Sequence, residues 1–224
     1  MDDVVIATRN LSRVVDGTAL VEDITLEVAA GDVFVVFGPS GAGKSSLLRL
    51  LNRLDEPTSG TVLLDGTDYR TLDPRTVRRR VGLVPQQPAL TEGTVAANVT
   101  WGPRLRDAPI DRERMAELLD RLGLAGVQNR DAGSLSGGEA QRVAIARTLF
   151  NAPDIVLLDE PASHLDAAAA EQVEALLGDV MAAYSLTAVL VTHDAERARR
   201  LGTRGVRMEE GRVVREGAIE EVIA

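Results

Sequence analysis

A glycine-rich turn between a strand pattern and a helix pattern restricts the fold of this chain more than any other feature. The turn reads Gly38-Pro39-Ser40-Gly41-Ala42-Gly43-Lys44-Ser45 and contains the only lysine of the sequence. The nearly all-apolar residues 33–37 precede it, and leucines at helical spacing follow it between positions 47 and 54. A buried parallel strand, a tight turn and a helix in this order predict an α/β core.

The residue types of this turn suit a polyphosphate. Its glycines let the backbone adopt positive φ and point successive N–H groups inward, next to a helix N-terminus. The compact ammonium of Lys44 would reach the β- and γ-phosphates, and the Ser45 hydroxyl would bind Mg²⁺. We therefore expect a nucleotide triphosphate and Mg²⁺ as cofactors. The predicted nucleotide-binding residues of this loop are Gly38, Pro39, Ser40, Gly41, Ala42, Gly43, Lys44, Ser45 and Ser46.

Composition and charge exclude several other classes of protein. The 224 residues are 45% apolar and 26% charged, which is typical of a globular protein. A formal net charge of −9 argues against nucleic acid as the main partner, because phosphate backbones bind to clustered cations. The short arginine runs at 78–80 and 197–200 are interpreted as solvated helix faces.

The chain contains no cysteine, which excludes disulfides, thiolate catalysis and cysteine-ligated metals. Its acidic start, Met1-Asp2-Asp3, is unlike a signal peptide, and no apolar run reaches the length of a membrane span. We therefore expect a cytoplasmic protein that would act at a membrane only through another polypeptide.

Strand and helix patterns along the chain indicate an α/β core interrupted by helices. Strand patterns occupy residues 4–8, 20–28, 61–64, 155–158 and 188–191, and the range from about 75 to 149 is mostly helical. Within that range, Asp111 is a candidate N-cap and Gly123 a helix stop. We expect residues 1–224 to form a single domain.

An acidic pair closes the strand pattern Ile155-Val156-Leu157-Leu158-Asp159-Glu160. Open α/β sheets bind ligands at the carboxyl ends of their strands. Asp159 would hold Mg²⁺ through water, and Glu160 would activate the attacking water as a general base. Without the glycine-rich loop, a simple capped strand end would be an equally good interpretation.

A second glycine-rich turn leads into another helix pattern and reads Leu135-Ser136-Gly137-Gly138-Glu139-Ala140-Gln141-Arg142. Its helix N-terminus offers further backbone donors to an anion. Because one nucleotide does not need two such cradles in one chain, the economical hypothesis is that this turn serves a nucleotide held by a partner molecule.

Over nearly its whole length the chain resembles the nucleotide-binding subunits of ATP-binding cassette (ABC) transporters. The resemblance rests on motifs that occur in the family's order. They are the P-loop at 38–45, Gln86 in the run 81–86, the signature turn 135–139, the acidic strand end at 159–160, Ser163-His164-Leu165-Asp166, and His193 in the run 191–194.

The resemblance implies a fold and several site residues. The fold is a P-loop NTPase core with a mostly parallel central sheet, an N-terminal antiparallel β-subdomain and an inserted α-helical subdomain at about 75–149. Gln86 would touch Mg²⁺ and the attacking water, and His193 would contact the γ-phosphate. Asp166 would communicate between two facing sites. Ser136, Gly137 and Gly138 would contact a nucleotide on the opposite subunit.

Each of these roles has a structural alternative. Gln86 also fits a solvated loop residue, His193 a surface histidine, and Asp166 a helix cap. The predicted catalytic residues are then Glu160, His193, Gln86 and Lys44, and the predicted metal ligands are Ser45, Gln86 and Asp159.

The resemblance also implies a function. Two subunits, most simply a homodimer, would close around ATP and power solute transport through a separate transmembrane permease, so the chain would lie at the inner face of the membrane. A non-transport ABC ATPase or a regulatory nucleotide-binding module is the alternative. Residues 52–57 and 93–105 are similar to phosphate-importer ATPases and to a short group linked to metal export or tolerance, which leaves cargo and direction open.

Two positions depart from the family pattern. Val15 stands where the family usually places an aromatic ring to stack on adenine, which predicts weaker selectivity for ATP. His164 replaces the small residue that usually precedes Leu-Asp. Trp101 is a candidate for the groove that receives the membrane subunit, although a core or surface position is an equally good interpretation.

Overall fold

The computed structural model describes residues 3–224 and contains ten strands and nine α-helices in that range. Met1 and Asp2, part of the acidic start discussed above, lie outside the described residues. The strands are β1 (Val4–Val15), β2 (Thr18–Ala29), β3 (Val33–Phe37), β4 (Ser59–Leu64), β5 (Thr67–Asp68), β6 (Val81–Val84), β7 (Ile155–Asp159), β8 (Thr187–Thr192), β9 (Arg204–Glu209) and β10 (Arg212–Ala218). The helices are α1 (Lys44–Leu51), α2 (Pro74–Arg80), α3 (Val95–Val99), α4 (Trp101–Arg104), α5 (Arg112–Arg121), α6 (Gly137–Phe150), α7 (Ala167–Ala183), α8 (Ala195–Leu201) and α9 (Ile219–Ile223).

The N-terminal part forms a four-stranded antiparallel sheet with the order β2-β1-β4-β5. Its first two strands are longer than the sequence pattern indicated, because a tight hairpin at Asp16-Gly17 extends their pairing to Val15 and Thr18. Asp16 and Gly17 have φ of 49° and 78°, as two-residue hairpin loops require. The predicted antiparallel β-subdomain is confirmed.

A six-stranded sheet with the order β10-β9-β3-β8-β7-β6 forms the centre of the fold. Its strands run parallel except for β10, which pairs antiparallel with β9. Alternate residues of β3 enter different cores: Phe34 and Val36 pack with α1 and the antiparallel sheet, whereas Val35 packs with residues of α5, α6 and α7. The mostly parallel central sheet that the resemblance implied is therefore present.

The range 75–149, predicted to be mostly helical, also contains strand β6, which pairs in parallel with β7. Four residues are too few to show a period-2 pattern, and the arginines at 78–80 extend the helical pattern right up to them. Gly82 within β6 has a packing reason, since a Cβ there would lie 2.7 Å from the Thr148 methyl group of α6. The structure therefore places part of this range in the central sheet.

Helix α5 follows the predicted signals. The Asp111 side chain accepts a hydrogen bond from the Arg114 N–H at 2.9 Å, and Gly123 adopts φ of 63° beyond the helix end. None of the helices within residues 3–224 combines the length and apolar character needed to cross a membrane.

Candidate functional site

The glycine-rich loop connects β3 to α1 at the carboxyl edge of the central sheet. Gly38 and Gly43 have φ of 153° and 92°, and both lie against the backbone of other strands. A Cβ at Gly38 would lie 2.2 Å from the Met208 carbonyl oxygen, and one at Gly43 would lie 2.1 Å from the Leu20 carbonyl oxygen. Only glycine fits at these two positions, so the sheet core itself shapes the loop.

Lys44 folds back over this loop. Its ammonium donates hydrogen bonds to the carbonyl oxygens of Gly38 and Pro39, both at 2.8 Å, and the residue is 5% exposed. Burial lowers the pKa of Lys44 from its ordinary 10.5, while the carboxylates of Glu160 and Asp159 act in the opposite direction. A phosphate that entered the loop would add its negative charge to that of these two carboxylates.

Ser45 and Asp159 bring two oxygen ligands together at the start of α1 and the end of β7. The Ser45 hydroxyl donates to Asp159 Oδ1 at 2.9 Å. Burial raises the pKa of Asp159, and the neighbouring Glu160 carboxylate acts in the same direction. These oxygens fit Mg²⁺, which usually takes one or two protein ligands and keeps water and substrate phosphates as the others. No group of three acidic or histidine side chains arranged for a metal occurs among residues 3–224.

Glu160 and His193 meet beyond the carboxyl ends of β7 and β8. His193 Nδ1 lies 3.0 Å from Glu160 Oε2, and Lys44 Nζ lies 3.8 Å from Glu160 Oε1. Glu160 adopts φ of 44°, in the left-handed region that a glutamate seldom occupies, and its N–H donates to the Val191 carbonyl oxygen at 3.2 Å. Strained backbone of this kind clusters at functional sites, although no sequence pattern indicates it here.

Gln86 is linked to Glu160 through Ser163. The Gln86 amide donates to Ser163 Oγ at 3.0 Å, and that hydroxyl donates to the Glu160 carbonyl oxygen at 3.1 Å. The structure shows no direct bond from Gln86 to the Ser45–Asp159 pair within the described chain. Gln141, in the signature helix α6, donates to the Pro85 carbonyl oxygen at 3.3 Å, a contact that sequence analysis did not anticipate.

The signature turn begins α6 on a different part of the surface. Ser136 is the N-cap: its hydroxyl accepts from the Glu139 N–H at 3.3 Å, and its own N–H donates to Glu139 Oε2 at 2.9 Å. Arg130 pairs with Glu139 at 2.7 Å. Ser136 and Gly137 are exposed, and no hydrogen bond or ion pair in residues 3–224 joins this turn to the glycine-rich loop. The structure therefore does not bring the two predicted cradles together within one chain.

The remaining predicted positions have simple environments. Asp166 caps α7 by accepting from the Ala169 N–H at 3.0 Å, as its structural alternative anticipated. Val15 is 37% exposed at the end of β1, and His164 is exposed. The weaker adenine stacking expected from Val15 stays a prediction.

The arginine run 197–200 is only partly the solvated face that was predicted. Arg199 and Arg200 are exposed, but Arg197 is 6% exposed and pairs with Glu174, which is 2% exposed. The prediction is wrong for Arg197 because its partner stands 23 positions earlier in the chain, where local periodicity gives no signal.

Comparison with known proteins agrees with this geometry. Residues 21–163 match the ABC transporter family. The chain is 43% identical to the methionine import ATP-binding protein MetN of Caulobacter vibrioides, over 92% of this chain and 64% of that protein. It is 41% identical to the phosphate import ATP-binding protein PstB 2 of Natronomonas pharaonis, over 98% of this chain and 82% of that one.

A solved structure of a dimeric ATP-binding cassette in a post-hydrolysis state, bound to ADP and phosphate, superposes with a TM-score of 0.83. The match covers 96% of this chain and 98% of that one, at 31% identity. With the fold, the nucleotide-loop geometry and these relatives in agreement, the chain belongs to the ABC transporter family and is one of its ATPases.

Proposed function

We propose that this protein hydrolyses ATP as the nucleotide-binding subunit of an ABC transporter and powers solute movement through a separate transmembrane permease. One observation carries the proposal. Lys44, the Ser45–Asp159 pair and the Glu160–His193 pair meet at one edge of the sheet, whereas no hydrogen bond or ion pair within residues 3–224 joins the signature turn to them. Each chain thus presents two separate halves of a nucleotide site.

Two copies that close head to tail would complete two such sites. The loop N–H groups and Lys44 would hold the β- and γ-phosphates, and Ser136, Gly137 and Gly138 of the second copy would approach the γ-phosphate. Ser45 and Asp159 would hold Mg²⁺, which when bound neutralises phosphate charge. The relative solved as a dimer with ADP and phosphate supports this arrangement.

The reacting water would lie next to Glu160. The Glu160 carboxylate would accept a proton from this water, and His193, whose Nδ1 lies 3.0 Å from that carboxylate, would contact the γ-phosphate. Gln86 reaches Glu160 only through Ser163 in the present geometry, so we propose that the Gln86 loop moves when the site is filled. Closure that expels water strengthens each of these electrostatic contacts.

A groove between α2, α4 and α6 supports the proposed membrane partner. It has a volume of about 610 Å³, and five arginines line it: Arg75, Arg78, Arg79, Arg106 and Arg147. No acidic residue lines the groove, and none of these arginines takes part in an ion pair within the described residues. Trp101 and Leu105, which are 44% and 70% exposed, add apolar surface.

We infer that this groove receives an acidic segment of the permease. Burial lowers the pKa of Arg147, and no carboxylate of the described chain offsets that effect. Clustered cations in a chain with a net charge of −9 favour a negatively charged partner surface. Both curated relatives are named for import, one for methionine and one for phosphate, so the likeness favours import and selects no solute.

The Glu160→Gln variant tests the proposed function. We expect it to bind ATP, to lose turnover and to accumulate as a dimer, because the amide keeps the side-chain shape but cannot accept the proton. Size-exclusion chromatography with light scattering, with and without Mg²⁺ and ATP, measures the dimer, and phosphate release measures turnover.

Two further variants complete this experiment. Lys44→Ala should lose ATP affinity and therefore remain monomeric, whereas Glu113→Gln, an exposed carboxylate on α5, should behave like the parent protein. If the Glu160→Gln protein stays monomeric in ATP and still hydrolyses it, the assignment of Glu160 is wrong.

A further inference from the structure

A buried ion pair lies beside the proposed catalytic histidine and belongs to none of the motifs discussed above. Glu174 of α7 and Arg197 of α8 are 2% and 6% exposed, and the Arg197 Nε–H donates to Glu174 Oε1. They lie at a cleft of about 570 Å³ that is also lined by His193 and Ser163. The pair therefore joins two helices that border the proposed site.

Arg197 is connected to both residues that flank His193. Its Nη1 lies 3.5 Å from Thr192 Oγ1, and its backbone N–H donates to Asp194 Oδ1 at 3.1 Å. The Asp194 N–H in turn donates to Thr192 Oγ1 at 3.0 Å. The Arg197 guanidinium thus reaches the residue before His193, and its backbone N–H helps to cap α8 at the residue after it.

Glu174 connects this turn to a second element of the site. It belongs to α7, whose N-cap Asp166 ends the loop that contains Ser163, the residue bonded to Gln86. A second contact joins Glu174 Oε2 to Arg200 Nη2 at 2.8 Å. Glu174 therefore connects α7 to α8 next to the histidine turn.

A buried ion pair is a poor way to stabilise a fold, because desolvation of the two charges offsets much of their attraction. Apolar residues could fill the same space between α7 and α8 without this cost, and removing one charge of the pair leaves the other buried and unpaired. The charged pair does fix the relative orientation of the two side chains, because a guanidinium and a carboxylate meet in a restricted geometry.

We propose that Glu174 and Arg197 are positioning residues that hold His193 beside Glu160 and tie its location to the loop preceding α7. The inference rests on the proposed function only in assigning His193 to the γ-phosphate. Neither Glu174 nor Arg197 is proposed to touch the nucleotide. A solely structural pair would affect stability and leave the geometry of His193 unchanged.

Steady-state kinetics of the purified full chain supply the first test. Arg197→Gln and Glu174→Gln are expected to lower kcat for ATP hydrolysis by about tenfold or more, since small misplacements of a catalytic group have effects of this size. The KM for ATP should change little, because the glycine-rich loop and Lys44 are untouched. Rates are measured well below the melting temperature of each variant and divided by the number of ATP-binding sites.

Exchanging the charges of positions 174 and 197 tests whether an opposite pair in reversed order restores kcat. Glu174→Arg or Arg197→Glu alone would bury two like charges, but the double variant Glu174→Arg/Arg197→Glu restores an opposite pair. Both single variants and the double variant are made in an Arg200→Gln background, because Arg200 also pairs with Glu174 and would repel an arginine there. We expect the double variant to recover most of kcat. If Arg197→Gln fails to fold, this double variant and Arg197→Lys carry the kinetic test.

NMR of the histidine rings tests the geometry without any turnover. The chain has two histidines, His164 and His193, so one serves as the internal reference for the other. In Arg197→Gln the ring signals of His193 should shift while those of the exposed His164 stay in place. Arg199→Gln is the matched control, because Arg199 lies on the same helix and pairs with Glu220 at 3.1 Å on the surface.

The outcomes separate this inference from the proposed function. Unchanged kcat and unchanged His193 signals in Arg197→Gln would overturn the positioning role, as would a charge-exchanged protein no better than the single variants. If the parent protein does not hydrolyse ATP at all, the proposed function fails, and the NMR comparison still decides whether the pair positions His193.

Discussion

Several residues of the proposed nucleotide site occupy environments that oppose folding. Burial lowers the pKa of Lys44 and raises that of Asp159, so each charge is less favourable in the folded chain than in water. Glu160 adds a left-handed backbone conformation with φ of 44°. Such strain at functional residues is expected where ligand binding, and not stability, selects the side chain.

The variant Asp159→Asn tests whether the buried charge of Asp159 destabilises the folded chain. The folded pKa of Asp159 lies above its ordinary 3.8, so folding takes up a proton, and the free energy of unfolding falls as pH rises through the interval between the two values. Asparagine has no such titration. We therefore expect the nucleotide-free variant to gain stability relative to the parent as pH rises from 3.8, and to keep that gain at neutral pH.

Urea unfolding of both proteins across this pH range measures the difference in their free energies of unfolding. In a separate assay, the variant should lose Mg²⁺-dependent ATP hydrolysis. The control is Asp179→Asn, at an exposed position on α7. A variant that is less stable than the parent at neutral pH would contradict the expected cost of burying the Asp159 carboxylate.

At the scale of elements, the sequence predicts those structures that a few consecutive residues specify. Three of them are present in the structure: the glycine-rich loop, helix α5 with its cap, and the strand that ends at Asp159. Strand β6 is too short to show its period. The contacts of Gln86 with Ser163 and of Arg197 with Glu174 join residues 77 and 23 positions apart, which periodicity does not register.

Asn98 anchors the loop that follows Gln86 to helix α3, and replacing its side chain tests how much this anchor stabilises the element. Asn98 is fully buried; its Oδ1 accepts from the Thr91 N–H at 2.8 Å, and its Nδ2 donates to the carbonyl oxygens of Thr91 and Thr94 at 2.9 and 3.1 Å. Asn98→Ala would remove these three hydrogen bonds, each worth about 1 kcal/mol, so we expect the free energy of unfolding to fall by about 2 kcal/mol or more.

Chemical denaturation with a fluorescence or circular dichroism readout measures this loss. Thr71→Ala removes an exposed side chain whose hydroxyl donates to the Asp68 carbonyl oxygen at 2.7 Å, and serves as the matched control. A change in Asn98→Ala of less than about 0.5 kcal/mol, the range of ordinary surface substitutions, would show that the loop holds without this anchor.

At the scale of the whole molecule, charge is distributed unevenly. The net charge is −9, yet within residues 3–224 the groove between α2, α4 and α6 is lined by five arginines and no acid. The sequence predicts a solvated face at 78–80, because local periodicity does not indicate that Arg78 and Arg79 lie near Arg106 and Arg147. These cations form one surface because α2 and α6 both pack against β6.

The groove predicts selective binding of an acidic, amphipathic helical peptide, the stand-in for the permease segment. Trp101 is the only tryptophan in the chain and lines this groove, so its emission reports binding directly. We expect a blue shift on titration with a peptide that carries glutamates and leucines, and none with the same peptide carrying lysines. The blue shift should weaken as salt rises from about 0.05 to about 0.5 M, because partly exposed charges are screened.

The double variant Arg78→Glu/Arg147→Glu should abolish the blue shift, whereas Arg112→Glu on the exposed surface of α5 should preserve it. Equal binding of both peptides, or equal loss in the control variant, would show that the arginines do not select the partner.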